Sequence, residues 1–230
     1  MSAHPARTHG EVLHETLSLS GLRVLDIGCG DGSLVRLMTR QSAKATGLEI
    51  SEEKLACARA AEPAGREDYQ VGRGEALPFS NELFDLVVFF NSLHHVPVAV
   101  QDAAIGESAR VLAPGGLLYV VEPLCEGALF ELLRPVDDET EVRAAACGAL
   151  QRAIANEAFT QLREYIYDSP YTYRSFEDLK DRMLAVDEAR RTAFETHDTV
   201  LREEFERGAV RSEQGFAFTH PNRLNLLQRL

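Results

Sequence analysis

The stretch Phe84-Asp85-Leu86-Val87-Val88-Phe89-Phe90 constrains the fold more than any other part of the sequence. From Leu86 to Phe90 every residue is apolar, so a strand here has no face to give to water. Strands of that kind belong to sheets covered by helices on both sides, the parallel sheets of α/β proteins. The rest of the first half agrees. Leu22 to Ile27, Ala45 to Ile50, Tyr69 to Val71 and Leu117 to Val121 read as further strands, with helices over Ser33 to Thr39 and Val98 to Leu112. Ser51 is an expected N-cap, followed by Glu52 and Glu53 where the helix dipole favours anions. Alternation at this spacing requires right-handed crossovers and a doubly wound, mostly parallel sheet.

After Pro123 the pattern changes. Asp138 to Arg163 and Asp187 to Arg207 are expected as helices, and Glu164 to Tyr173 and Phe216 to Leu227 as strands. Together they read as an appended helical cover with two closing strands, which brings the expected sheet to seven strands in a single domain. Tyr165, Tyr167, Tyr171 and Tyr173 alternate at period two, the mark of one strand face, so core packing is expected for most of them.

With 36 acidic against 24 basic residues the formal charge is −12. A nucleic-acid binder normally presents a basic face, because phosphate contacts and counterion release drive its affinity. The balance therefore argues against a large nucleic-acid substrate and against anionic membrane surfaces. Cys29, Cys57, Cys125 and Cys147 lack the spacing of a zinc knuckle, so no metal is expected and the thiols read as reduced. The polar first ten residues are unlike a signal peptide, and no apolar run approaches the roughly 18 residues of a membrane span. A cytoplasmic location is expected.

Chemistry enters at Asp26-Ile27-Gly28-Cys29-Gly30-Asp31-Gly32, which lies between a strand and a helix. Glycines there let backbone N–H groups approach a ligand closely, whereas a bare βα turn would not need them to alternate. A dinucleotide enzyme uses the same turn, but the third glycine of that fingerprint is Ser33 here, and Asp26 and Asp31 would repel a pyrophosphate. A ligand carrying a sulfonium and an ammonium would not be repelled. Glu49, about twenty residues beyond the loop, ends the next strand where an acidic side chain can accept from both ribose hydroxyls.

The stretches VLDIGCGDG, GLEIS, GRGEALPFSNELFDLVVFFNSLHHV and ARVLAPGGLLYVVEP resemble, in order, the motifs of class I S-adenosylmethionine-dependent methyltransferases of the ubiquinone/menaquinone-biosynthesis type, methyltransferase type 11. The resemblance covers residues 22–123. It implies a Rossmann-like methyltransferase fold and S-adenosylmethionine as cofactor. By position it implies Asp26, Gly28, Cys29 and Gly30 around the methionine part, Glu49 at the ribose and Ile50 against the adenine. Gly74 and Glu75 would sit beside the adenine, and Asn91 near the methionine end. One residue departs from the pattern: Arg73 stands where relatives usually carry an aspartate that accepts from the adenine amine. Arginine cannot accept a hydrogen bond, so Glu75 or a backbone carbonyl is the expected substitute.

The resemblance also divides the chain by role: residues 1–20 as a lid segment, 21–123 as the cofactor-binding core and 124–230 as the wall of the acceptor pocket. Methyl transfer from a sulfonium is an in-line displacement by a donor already activated, so orientation can supply much of the rate. A general base is needed only for a protonated nucleophile. His94, His95 and Glu122 follow strand ends that face the crevice and are the catalytic candidates, each with an ordinary packing or loop-tying role beside it. The expected partner is a small-molecule acceptor. A tRNA or protein methyltransferase would need a basic strip; Arg134, Arg143, Arg152 and Arg163 are its best components, but acidic residues interleave. A non-catalytic cofactor-binding protein is the third reading. The alanine-rich helix from Asp138 offers a packing surface for a homodimer.

Overall fold

A computed structural model of the chain describes residues 4–230. Its strands are β1 (Arg23–Ile27), β2 (Lys44–Glu49), β3 (Asp68–Val71), β4 (Phe84–Phe90), β5 (Leu112–Pro123), β6 (Phe159–Tyr173), β7 (Val210–Ser212) and β8 (Gly215–Arg229). The α-helices are α1 (His9–Thr16), α2 (Ser33–Arg40), α3 (Glu52–Ala60), α4 (Gln101–Val111), α5 (Ala128–Leu133), α6 (Thr140–Ala155), α7 (Phe176–Val186) and α8 (Arg191–Gly208). The strands form one sheet of eight in the order β3-β2-β1-β4-β5-β8-β6, with β7 paired to β8. Pairing is parallel between β1 and β2, β1 and β4, β2 and β3, and β4 and β5. The doubly wound, mostly parallel sheet expected from the sequence is present; the eighth strand is β7, three exposed residues paired antiparallel with the start of β8. So short and solvated a strand has no hydrophobic pattern to announce it.

By its internal contacts the chain divides into two compact units. The sheet unit comprises Leu13–Glu122, Val142–Tyr165 and Arg223–Leu230. Its core is mainly aliphatic: Leu25 and Ile27 of β1, Val87 of β4, and Leu118 and Val120 of β5 are buried with Phe89 of β4, Ala104 and Ile105 of α4, and Ala146 and Ala149 of α6. The small residues on α4 and α6 match a helix face lying close on a sheet of branched side chains. Arg23 clips β1 to β4 by donating from its backbone N–H (2.9 Å) and its guanidinium to Asp85, which holds the Asp85 carboxyl below its usual range. Ser51 caps α3 as expected, accepting from the Lys54 amide at 3.3 Å.

The aromatic unit comprises the N-terminal residues through Val12, Pro123–Glu141 and Ile166–Asn222. Phe205 of α8 is its hub, with ring centroids 5.8 Å from Phe176, 5.4 Å from Phe218 and 4.9 Å from Phe216. Ala6 bridges to Asp168 as a parallel neighbour of β6, with Arg7 N–H donating to the Asp168 carbonyl (2.9 Å) and Asp168 N–H to that of Pro5 (3.0 Å). Of the four alternating tyrosines of β6, Tyr167 and Tyr173 are buried and Tyr165 and Tyr171 are half-buried. α7 was not foreseen, although Ser175 caps it by accepting from the Asp178 amide at 3.2 Å.

The long helix expected through Arg163 ends instead at Ala155, and β6 begins at Phe159 rather than Glu164. The stop is built from backbone. Glu157 takes a left-handed φ of 58°, Ala158 N–H donates to the Ala153 carbonyl (3.0 Å) and Glu157 N–H to that of Ile154 (3.0 Å). These bonds make a Schellman cap, which usually advertises itself with a glycine that is missing here.

Candidate functional site

Chain order runs outward from β1 to β2 and β3, then returns to β4 on the opposite side of β1. At such a reversal the loops beyond the carboxyl ends of the strands part and leave a crevice. A cavity of about 260 Å³ lies there, entirely within the sheet unit. Its wall takes Gly28 and Gly30 from the loop after β1, Glu49 and Ile50 from the end of β2, Gly74 and Glu75 from beyond β3, and Asn91 from beyond β4. All seven are expected site residues, drawn from separate parts of the chain.

The loop geometry explains its glycines. Gly28 has φ +77°, and a Cβ there would fall 2.6 Å from that of Ser92, whose hydroxyl donates to the Ile27 carbonyl at 2.6 Å. Gly30 has φ +56°, but nothing lies within 4 Å of where its Cβ would be. Gly28 is thus demanded by close packing, and Gly30 by its backbone conformation, with open space before it.

Glu49 is buried to 7% exposure, and its carboxylate organises the surroundings. One oxygen accepts from the Gly30 amide at 3.0 Å; the other accepts from Ile50 (2.9 Å) and Ser51 (3.0 Å). The glycine loop, the strand end and the start of α3 therefore share one anion. Asn91 holds the opposite side with a left-handed φ of 51°, its amide donating to the Val121 carbonyl at 2.8 Å. Its side-chain Oδ1 is buried and has no hydrogen-bond partner among the described residues. Ile50 lines the same cavity while 55% exposed, an apolar surface suited to a flat ring.

Two expected residues stand behind the wall. Asp26 is 2% exposed and does not line the cavity; burial, and then the Glu49 charge, push its carboxyl up to about 7. Cys29 also lies outside the lining, and burial, with Asp26 and Glu49 adding, pushes its thiol up, which disfavours a thiolate. Sequence reasoning missed Lys54, Ser92, Val96 and Pro97 as wall residues. Lys54 carried a signal, the first turn of a capped helix beginning at a strand end. Arg73, where the family pattern is broken, is on the wall too, 60% exposed with its guanidinium 3.7 Å from Glu75.

The three catalytic candidates separate. His94 is buried and its Nδ1 hydrogen-bonds Glu122, whose other oxygen accepts from the Leu93 amide at 2.9 Å. This pair ties the loop after β4 to the end of β5. His95 lines the cavity, its ring centroid 4.0 Å from that of His94.

Residues 25–120 match the family model described as methyltransferase domain. A ubiquinone biosynthesis O-methyltransferase of Sinorhizobium medicae is 39% identical over 104 residues, covering 44% of this chain and 41% of that protein. A phthiotriol/phenolphthiotriol dimycocerosates methyltransferase of Mycobacterium ulcerans is 31% identical over 160 residues, covering 67% and 55%. The chain thus spans about half the length, or less, of these curated relatives. Among solved structures, a putative methyltransferase of Bacillus halodurans superposes with TM-score 0.66 at 20% identity, covering 96% of this chain and 98% of that one. The resemblance seen in the motifs stands, and the fold is the Rossmann-like methyltransferase fold.

Proposed function

We propose that the chain is an S-adenosylmethionine-dependent methyltransferase acting on a small-molecule acceptor. The observation that carries this reading is the convergence in one cavity of two glycine backbones, the Glu49 carboxylate and the unpartnered Asn91 Oδ1. These donors and acceptors fit the cofactor. Gly28 and Gly30 leave backbone room for the methionine part, and Asn91 Oδ1 can accept from its ammonium. Glu49 keeps acceptor capacity for a ribose hydroxyl on the oxygen that takes only the Gly30 amide, since a carboxylate has about four lone-pair sites and three backbone amides occupy the others. Ile50 offers an apolar face to the adenine, with Gly74 and Glu75 at its edge.

When bound, the cofactor supplies a methyl group already activated by the sulfonium. The protein's own contribution is then largely orientation and exclusion of water. His94 and Glu122 act as positioning residues that fix the loop carrying Asn91 and Ser92. His95, on the wall, is the candidate to handle an acceptor's proton. The activities for which the relatives are named, with the strongly acidic charge, support a small acceptor over a nucleic acid. Among the described residues no helix is long and apolar enough to cross a membrane.

Isothermal titration with S-adenosylhomocysteine tests the reading. Binding is expected in the intact chain, and Glu49→Ala should weaken it by about 1–3 kcal/mol through lost hydrogen bonds to a charged group. Absence of binding in the intact chain would overturn the proposal.

A further inference from the structure

The aromatic unit has a cavity of its own, of about 640 Å³, within the size range of organic ligand sites, roughly 300–1,000 Å³. We propose that it binds a small organic amine, whose ammonium is held by the Asp168 carboxylate, with Glu126 as second acceptor and the organic body against Ala128, Pro170 and Phe218. None of these residues lines the cavity assigned to the methyl donor.

Asp168 carries the argument. Its backbone is fixed on both sides, donating to the Pro5 carbonyl and accepting from Arg7 N–H. It is 3% exposed and lines the cavity, and its carboxyl Oδ2 is buried without a hydrogen-bond partner among the described residues. A buried acceptor left unmatched costs free energy, and a buried carboxylate needs a cation or donors to offset its lost hydration. The local charges offset that loss only in part. Glu126 adds a second negative group and has His4 at 3.7 Å. Burial raises the Asp168 carboxyl above its usual range, His4 lowers it and Glu126 raises it further.

The remaining wall selects among cations. His4 lies 3.7 Å from Glu126, but the ligand atoms of His4, Glu126 and Asp168 do not all come within 4.8 Å of one another, which is unsuited to a metal ion. An ammonium has three divergent donors and reaches separated carboxylates without such convergence. Its organic body supplies apolar surface for the alanine, proline and phenylalanine walls.

The test is calorimetric titration of the full chain near neutral pH with benzylamine, and with benzyl alcohol as the uncharged analogue of similar shape. Benzylamine is expected to bind, and benzyl alcohol at least about tenfold more weakly, the scale of one charge-assisted hydrogen bond. Asp168→Asn should weaken benzylamine about tenfold or more. Glu126→Gln, at a side chain 58% exposed, should weaken it less, by about threefold. Thermal unfolding reports whether Asp168→Asn remains folded; if it does not, Glu126→Gln and the uncharged analogue decide. No benzylamine binding, equal affinity for the two compounds, or affinity unchanged in the folded variants would overturn the proposal.

Discussion

The two units are held together by different materials. The sheet unit buries aliphatic side chains in register, strand against strand, and its polar interior is concentrated at strand ends around Asp26, Glu49, Ser92 and His94. The aromatic unit buries rings at mixed angles around Phe205, with Asp168, Ser169, His220 and Asn222 forming a polar seam beside β6. In that seam Asn222 donates to the Ser169 hydroxyl at 2.8 Å and Ser169 donates to the His220 carbonyl at 3.2 Å. Aliphatic layers of a parallel sheet follow from chain order and tolerate repetition. A ring cluster depends on a few individual residues, each with large buried area and a preferred angle. The first arrangement spreads stability over many positions; the second concentrates it.

The largest expected effect breaks the second arrangement. Phe205→Ala should cost about 3–5 kcal/mol in urea unfolding, the range for truncating a buried aromatic. Faster hydrogen exchange over residues 166–222 should accompany it. A loss below about 1 kcal/mol would mean that the cluster is not concentrated on this ring.

Gly28→Ala comes next, since it combines a left-handed φ with a Cβ forced against Ser92. It should cost about 2–3 kcal/mol and weaken S-adenosylhomocysteine more than tenfold. Gly30→Ala has the strain but open space, so it should cost less stability; equal losses would show that packing against Ser92 contributes nothing.

A third prediction concerns pH. The Asp26 carboxyl is pushed from 3.8 to about 7, chiefly by burial. Between those values the unfolded chain has released a proton that the folded chain keeps, so folding stability falls as pH rises through this window and levels off above it. Asp26→Asn should flatten that slope in melting temperatures measured from pH 4 to 7.5. An unchanged slope would assign it elsewhere.

The smallest effect is expected at Arg73. Its pairing with Glu75 is long and solvated, so Arg73→Ala should change cofactor affinity by less than about 1 kcal/mol. A larger loss in titration would make this departure from the family pattern a functional contact.

The same contrast explains what could be read from residues alone. Phe84–Phe90 was legible as a strand end to end because a continuous apolar run has few alternatives in a covered sheet. The cavity wall was legible where residue type and conformation are bound together, as at Gly28, Gly30 and Glu49. Asp26 was harder: an acid in the motif invites a ligand contact, yet strand alternation turns it behind the wall, where its charge is disfavoured. Val96 and Pro97 reach the wall from the link between two short 3-10 turns, which leaves no periodic signal. In the other half, β7 is too short to pattern, and Glu157 ends α6 without the usual glycine. Ring-to-ring angles have no sequence period at all.

The bonds from Glu49 to Gly30, Ile50 and Ser51 also bear on the timing of order. Because one carboxylate fixes the glycine loop and the adjoining helix start as the chain folds, their conformational entropy is lost then, before any ligand arrives. Ligand capture at this end should resemble a key meeting a cut lock. Amide exchange at Gly30 and Ser51 would then be slow in the free protein and change little on binding, while slowing on ligation would be confined to groups that touch the ligand itself.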